Sequence, residues 1–196
     1  MLENPMPGDL WLIRHGETEW SFSGRHTGRS DIPLSDDGRA HAAAVGRYLA
    51  GHTFALVLAS PLSRARETCR LAGFGAVAQI DANLCEWNYG DYEGLTTTEI
   101  RARRPDWDLW RDGVPNGETI AQVAARAHAA IARALQAGGD VAFFAHGHLL
   151  RILSASWLEI EPDNGRLFAL SPGSVSTLGY ERDTRVISSW NLRPAA

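Results

Sequence analysis

Three short apolar runs constrain the fold of this chain more than any other feature. They are Leu10-Trp11-Leu12-Ile13, Ala55–Ala59 and Val141–Ala145. Runs of four or five apolar residues without polar alternation read as strands covered on both faces. Helical patterns lie between them, and alternating strands and helices favour a layered α/β fold, three layers α/β/α, with a mostly parallel central sheet.

The remaining elements follow from caps and breakers. Ser35-Asp36-Asp37-Gly38 opens a helix running to about Ala50, with Gly51 as its stop. Ser60-Pro61 starts another, ending near Gly73. Val77–Ile80 is a weaker strand, and Thr98–Arg103 and Trp107–Arg111 are short helices. Asn116-Gly117 is a turn, and Thr119 with Gln122 forms a capping box for a helix reaching Ala137. His148–Leu158 is helical, and Ser174–Tyr180 and Arg185–Trp190 form a hairpin across Glu181-Arg182-Asp183-Thr184. There is no repeat or linker, so residues 1–196 read as one domain.

Each principal strand ends on chemistry. Arg14-His15-Gly16 follows the first, Ser60-Pro61-Leu62-Ser63-Arg64-Ala65 the second, and His146-Gly147-His148 the third. Ligands of open α/β sheets bind outside the carboxyl ends of the strands. If the three strands are neighbours, Arg14, Arg64, His15 and His146 share one pocket. Two arginines and two histidines repel one another unless an anion lies between them, and a phosphoryl group is such an anion. An arginine beside His15 also pushes the imidazole toward its neutral, nucleophilic form.

The bulk numbers exclude other classes. The net charge of −4 argues against a nucleic-acid partner. No apolar run reaches membrane-spanning length, and Met1–Gly8 lacks the basic start and long apolar stretch of a signal peptide. A cytoplasmic location is the expectation, and Cys69 and Cys85 read as buried fillers suited to a reducing compartment. His146-x-His148 has no further metal ligand at recognisable spacing, so neither metal nor other cofactor is expected.

Arg14-His15-Gly16-Glu17-Thr18, the run Ser60–Thr68 and Ala145-His146-Gly147-His148 together resemble the signature of the histidine phosphatase superfamily. That group includes cofactor-dependent phosphoglycerate mutases and many phosphatases, and the resemblance spans nearly the whole chain. It implies a phosphoglycerate mutase-like fold with His15 as the nucleophile. It implies that Arg14, Arg64 and His146 hold the phosphoryl oxygens.

The run Leu84–Gly94 matches the family's acid loop and implies Glu86 as proton donor, with Asp91 and Glu93 as rivals. A donor carboxylate needs a raised pKa, and the aromatics of this loop offer partial burial. Trp20–Gly28 resembles the loop over the substrate. Ser21, His26, Thr27 and the Gly28 backbone, with Tyr89 from the acid loop, are its substrate-binding candidates.

Trp107–Gly113 offers one arginine, Arg111, where the family's mutases carry a pair. The expectation is therefore a phosphatase of small sugar or acid phosphates, from a branch with broad acid phosphatases and a sedoheptulose bisphosphatase. The rival readings are a phosphoglycerate mutase and a phospho-ligand binding module without turnover. Glu118 reads either as a partner of a catalytic residue or as a helix-start acid, and His148 as a pocket-rim or supporting residue. Arg101, Arg103 and Arg104 read as a solvated helix face. A small phosphorylated substrate is the expected partner, and Val175–Trp190 is a candidate edge for a homodimer.

Overall fold

A computed structural model describes residues 8–195, so most of the Met1–Gly8 segment lies outside the described residues. The elements are β1 (Leu10–Arg14), α1 (Glu19–Phe22), α2 (Asp36–Tyr48), β2 (Leu56–Ala59), α3 (Ser63–Leu71) and β3 (Gln79–Ile80). They continue with α4 (Thr97–Arg101), α5 (Leu109–Asp112), α6 (Ile120–Ala134), β4 (Val141–Ala145), α7 (Gly147–Trp157), β5 (Val175–Glu181) and β6 (Thr184–Leu192).

One sheet runs in the order β3-β2-β4-β1-β5-β6. Strands β3, β2, β4 and β1 are parallel, and β5 and β6 add an antiparallel hairpin. The apolar runs are continuous because both faces are covered. On β4, Ala142 and Phe144 pack with Val45 of α2, Leu49 just after that helix and Cys69 of α3. Val141, Phe143 and Ala145 face the opposite way, into a cluster with Val123 and Ala127 of α6 and Leu149 and Leu153 of α7. Helices thus cover each side of the sheet, giving three layers.

The strand order decides where the chemistry meets. Strand β4 lies between β2 and β1, with Arg14 opposite Ala145 and Ala59 opposite Phe144. The next residues continue the ladder: the His15 amide donates to the Ala145 carbonyl and the Ser60 amide to that of Phe144. Ser60, His146 and His15 therefore leave the sheet side by side.

Two boundaries differ from expectation for physical reasons. The helix read from Ser60 begins at Ser63, with Leu62 as an N-cap that supplies no side-chain bond. Ser60 does not cap it, because its hydroxyl bonds the His146 ring. The helix read to Ala137 stops at Ala134, while its Thr119–Gln122 capping box forms as the pattern predicts. Helix α1 has no counterpart in the sequence reading. It is held by a capping box between Thr18 and Ser21.

The turn after His15 rests on two glycines in contact. A Cβ on Gly16 would stand 2.1 Å from the Gly38 carbonyl oxygen, and a Cβ on Gly38 2.0 Å from that of Glu17. Both obstacles are backbone and cannot swing away. Gly38→Ala would gain about 1 kcal/mol of helix propensity in α2. The overlap outweighs that gain, and a net loss of about 2 kcal/mol is expected. The check is the urea midpoint, and an unchanged midpoint would refute the contact.

Candidate active site

His15 is buried, 5% exposed, at the end of β1. Its Nδ1 lies 2.7 Å from the Gly16 carbonyl oxygen, which can only accept, so Nδ1 carries the proton. Burial, then the charges of Arg64 and Arg14, hold the ring well below the usual imidazole pKa. It is therefore neutral, with its lone pair on Nε2.

His146 packs edge-on against it, ring centroids 5.1 Å apart. Burial, then the Arg64 charge, keeps His146 neutral as well. The Ser60 hydroxyl sits 2.7 Å from His146 Nε2 and accepts from the Leu62 amide, leaving its own proton free for Nε2. With the hydroxyl donating to Nε2, the His146 proton is on Nδ1, which is buried and has no partner.

The arginines repeat this pattern. Arg64 is fully buried and donates to the carbonyls of Thr27, Gly28 and Ser30, fixing the loop beneath which it lies. Its Nε is buried without a partner. Arg14 donates through Nη1 to the Leu170 carbonyl, and its Nε is likewise unpartnered. Gly147 makes room for it, since a Cβ there would lie 3.3 Å from the guanidinium carbon. Buried donors left unpaired cost about 1–3 kcal/mol each. Three of them near one neutral histidine are a set that a tetrahedral oxyanion would satisfy.

Glu86 is 4% exposed. Its Oε1 accepts from the amides of Trp87 and Leu149, and Oε2 accepts from that of His148. Backbone donors at the start of α7 orient it. The loop carrying it is clamped from behind. Arg126 donates to the carbonyls of Asn83, Cys85 and Glu86 and pairs with Glu118 at 2.8 Å. Glu118 also accepts from the Asn88 amide. Burial pushes the Glu118 carboxyl up, but the bonds from Arg126 and Asn88 outweigh it and hold the pKa below the usual range. Glu118 is thus a support of the acid loop. Arg126, its partner, sits within the Ala-rich pattern of α6 and carries no sequence signal of its own.

A cavity of about 180 Å³ joins these groups. Arg14, His15, Glu86, Tyr89, Ser21, His26 and Thr27 line it, with His148, Arg25 and Arg151. Arg64 and His146, both fully buried, are not among the lining residues. Gly28 is not among the lining residues, and its amide is engaged by Glu93 at 3.2 Å. The Ser21 hydroxyl reaches the cavity wall while serving the Thr18 capping box. Buried Tyr89 and half-buried His148 form a pair, hydroxyl to Nδ1 at 2.6 Å. Burial keeps the phenol protonated and the imidazole neutral. Both rings of His146-x-His148 are thereby tied to hydroxyl groups. Among the described residues, no group of three His, Cys, Asp or Glu side chains is placed to hold a metal ion.

Arg25 and Arg151 were not singled out in the sequence. Arg151 stands three residues after His148, one turn along the same helix face, and that spacing is the signal that points to it. Arg101, Arg103 and Arg104 are exposed, and Arg111 is exposed and paired with Asp112.

A family model described as the histidine phosphatase superfamily (branch 1) matches residues 10–193. An acid phosphatase of Mycobacterium tuberculosis is 41% identical over 187 residues, 93% of this chain and 92% of that protein. A sedoheptulose 1,7-bisphosphatase of Saccharomyces cerevisiae is 38% identical over 180 residues, 74% of this chain and 66% of that protein. The solved structure of an open reading frame product from Mycobacterium tuberculosis superposes with a TM-score of 0.91 at 39% identity, over 96% of this chain and 99% of that one.

Proposed function

The chain belongs to branch 1 of the histidine phosphatase superfamily, and from that membership we propose that it hydrolyses phosphomonoesters of small metabolites through a phosphohistidine on His15. The observation that carries the reading is the set of unpartnered buried donors, Arg14 Nε, Arg64 Nε and His146 Nδ1, around a neutral histidine.

In the first half-reaction, His15 Nε2 forms a bond to phosphorus as the ester P–O bond breaks. The Glu86 carboxyl gives its proton to the departing oxygen, and the alcohol leaves. In the second, the Glu86 carboxylate takes a proton from water, the hydroxide attacks phosphorus, and the P–N bond breaks to release inorganic phosphate. Throughout, the three unpartnered donors stabilise charge on the phosphoryl oxygens. The cavity of about 180 Å³ is small beside the roughly 300–1,000 Å³ of drug-sized sites, which suits a small metabolite.

The named relatives support this reading, since one is an acid phosphatase and the other a sedoheptulose 1,7-bisphosphatase. Arg111 is paired with Asp112 and lies outside the cavity, which weighs against the mutase reading. The proposal extends to one catalytic domain over the chain, no cofactor, and a cytoplasmic setting suited to two free buried cysteines. It takes no nucleic-acid or membrane partner, and the exposed edge at β6 is the surface for a homodimer. No helix among the described residues is long and apolar enough to cross a membrane.

The test is phosphate release with product identification on an aryl phosphate, a phosphoglycerate and several sugar bisphosphates. Free phosphate is expected, with undiminished rate in chelator, and an acid-labile phosphoenzyme in rapid-quench samples. Isomerised phosphoglycerate with little free phosphate would overturn the hydrolase reading in favour of a mutase.

A further inference from the structure

Glu93 belongs to the acid loop and reads from the sequence as a rival proton donor, yet it is not among the residues lining the cavity. Its carboxylate is engaged elsewhere. Oε1 accepts from the amides of Arg29 at 2.9 Å and Tyr89 at 3.3 Å. Oε2 accepts from the amides of Gly28 at 3.2 Å and Ser30 at 3.3 Å, and from the Ser30 hydroxyl at 2.8 Å. Among the described residues no arginine or histidine side-chain nitrogen lies within 4.0 Å of it. Uncharged donors alone hold it, and three of them are the consecutive amides of Gly28, Arg29 and Ser30.

The same segment is gripped from its other side. Arg64 Nη2 donates to the carbonyls of Thr27 and Gly28 at 3.1 and 2.9 Å, and Nη1 to that of Ser30 at 2.8 Å. A peptide unit joins one residue's carbonyl to the next residue's amide, and in a trans unit the two point opposite ways. The units Thr27–Gly28 and Gly28–Arg29 therefore lie between two charged groups, each with its N–H on Glu93 and its carbonyl on Arg64. Hydrogen bonds in such a series polarise and strengthen one another. Because a guanidinium is planar, carbonyls on both Nη atoms also fix the direction of Nε–H, the buried donor left without a partner. Gly28 leaves room for the arrangement, since a Cβ there would stand 2.0 Å from Glu93 Oε1 and 2.4 Å from the Trp87 carbonyl oxygen.

We propose that Glu93 is a positioning residue: through the peptide units of Thr27, Gly28 and Arg29 it sets where Arg64 presents Nε to the phosphoryl group. This rests on the hydrolase reading and deepens it. Glu93 and Glu86 share one loop, so the same contacts tie the proton donor to the arginine that faces the phosphoryl oxygens.

The experiment compares two anions at equilibrium. Orthovanadate bonded to His15 Nε2 takes the five-coordinate geometry of phosphoryl transfer, so it needs Arg64 aligned with the histidine. Inorganic phosphate can shift to follow a displaced guanidinium. Glu93→Gln keeps the shape of the side chain but sets an NH₂ against amides that need an acceptor. By calorimetry, its vanadate affinity is expected to fall by about tenfold or more, and its phosphate affinity by less than about threefold. In turnover, kcat should fall by about tenfold or more with KM within about threefold, and equally for alkyl and nitrophenyl phosphates. Ser30→Ala withdraws one donor from Glu93 and no peptide group. It should move the vanadate-to-phosphate ratio the same way by about threefold, and it serves alone if the glutamine variant folds poorly.

A ratio unchanged in every variant that folds would overturn the inference, because a merely structural Glu93 would alter the fraction of active protein and leave the ratio alone. A loss of turnover confined to alkyl phosphates would overturn it as well, by making Glu93 an acid of the reaction. Absence of phosphate release by the unaltered chain from every ester would instead defeat the hydrolase reading and leave the anion ratio readable.

Discussion

His15→Ala is expected to lower kcat for phosphomonoester hydrolysis by at least about 10⁴-fold, because in the proposed mechanism the substitution removes the atom that becomes bonded to phosphorus. The loss should fall on kcat more than on KM. Arg14, Arg64 and His146 keep their unpartnered donors in the variant, so phosphoryl binding should survive. Glu86→Gln provides the companion measurement. It leaves a side chain of the same shape among the amides of Trp87, His148 and Leu149, one of which then faces an NH₂. Its cost is expected to be about 10²–10⁴-fold for alkyl phosphates, whose leaving oxygen needs a proton. It should be much smaller for nitrophenyl phosphate, whose phenolate leaves unaided. Equal losses for both esters would remove Glu86 from the role of acid. Appreciable turnover by His15→Ala would remove the phosphohistidine itself.

The second large effect is on stability in mild acid. His15 and His146 are buried and His148 is half-buried on the cavity wall, and desolvation first, aided by neighbouring arginines, holds each well below the ordinary imidazole pKa. In the unfolded chain they titrate near 6.5. Between that value and their native pKa values, the unfolded chain binds protons that the native chain does not, so stability falls as pH falls. Above pH 6.5 the three cost nothing. Below it, each approaches a slope of about 1.4 kcal/mol per pH unit, so together they approach about 4. Most carboxylates titrate lower, so the interval from pH 6.5 to 5 reports mainly on the histidines. Urea midpoints from pH 8 to 5 should be flat at first and then drop steeply. A flat profile down to pH 5 would mean that the three rings protonate freely in the native state. The same depression keeps His15 nucleophilic in that interval, so the acid limb of kcat/KM should lie below 6.5 wherever the protein stays folded.

The motif residues were legible in the sequence because strand ends and phosphoryl chemistry both leave local marks. A continuous apolar run implies a strand covered on both faces, and an arginine or histidine after it implies a ligand at the sheet's carboxyl edge. Arg14-His15-Gly16 and Ala145-His146-Gly147-His148 could be read that way from a few residues each. The Thr119–Gln122 capping box was legible for the same reason, as its geometry is complete within one turn.

Other residues depend on contacts that no local window contains. Ser60 looked like a helix cap because its sequence neighbours suit one. Its hydroxyl serves His146, 86 residues away, because β2 and β4 are adjacent. Gly38 looked like an ordinary helical position, and it is the surface on which the His15 turn rests. Arg126 is one of two arginines on an Ala-rich helix, distinguished by the carbonyls of Asn83, Cys85 and Glu86 that come within its reach.

The sequence by itself determined the layered α/β class, the three principal strands and the arginine and histidine side chains that end them, since each is encoded in short-range pattern or residue type. The tertiary structure decided the strand order that sets Ser60, His146 and His15 side by side. It also decided the backbone amides that aim Glu86, the carbonyls that occupy Arg64, and the place of Arg151 on the cavity wall. These rest on pairing between segments far apart in the chain, and hydrogen-bond partners of backbone groups carry no side-chain signature for a sequence to display.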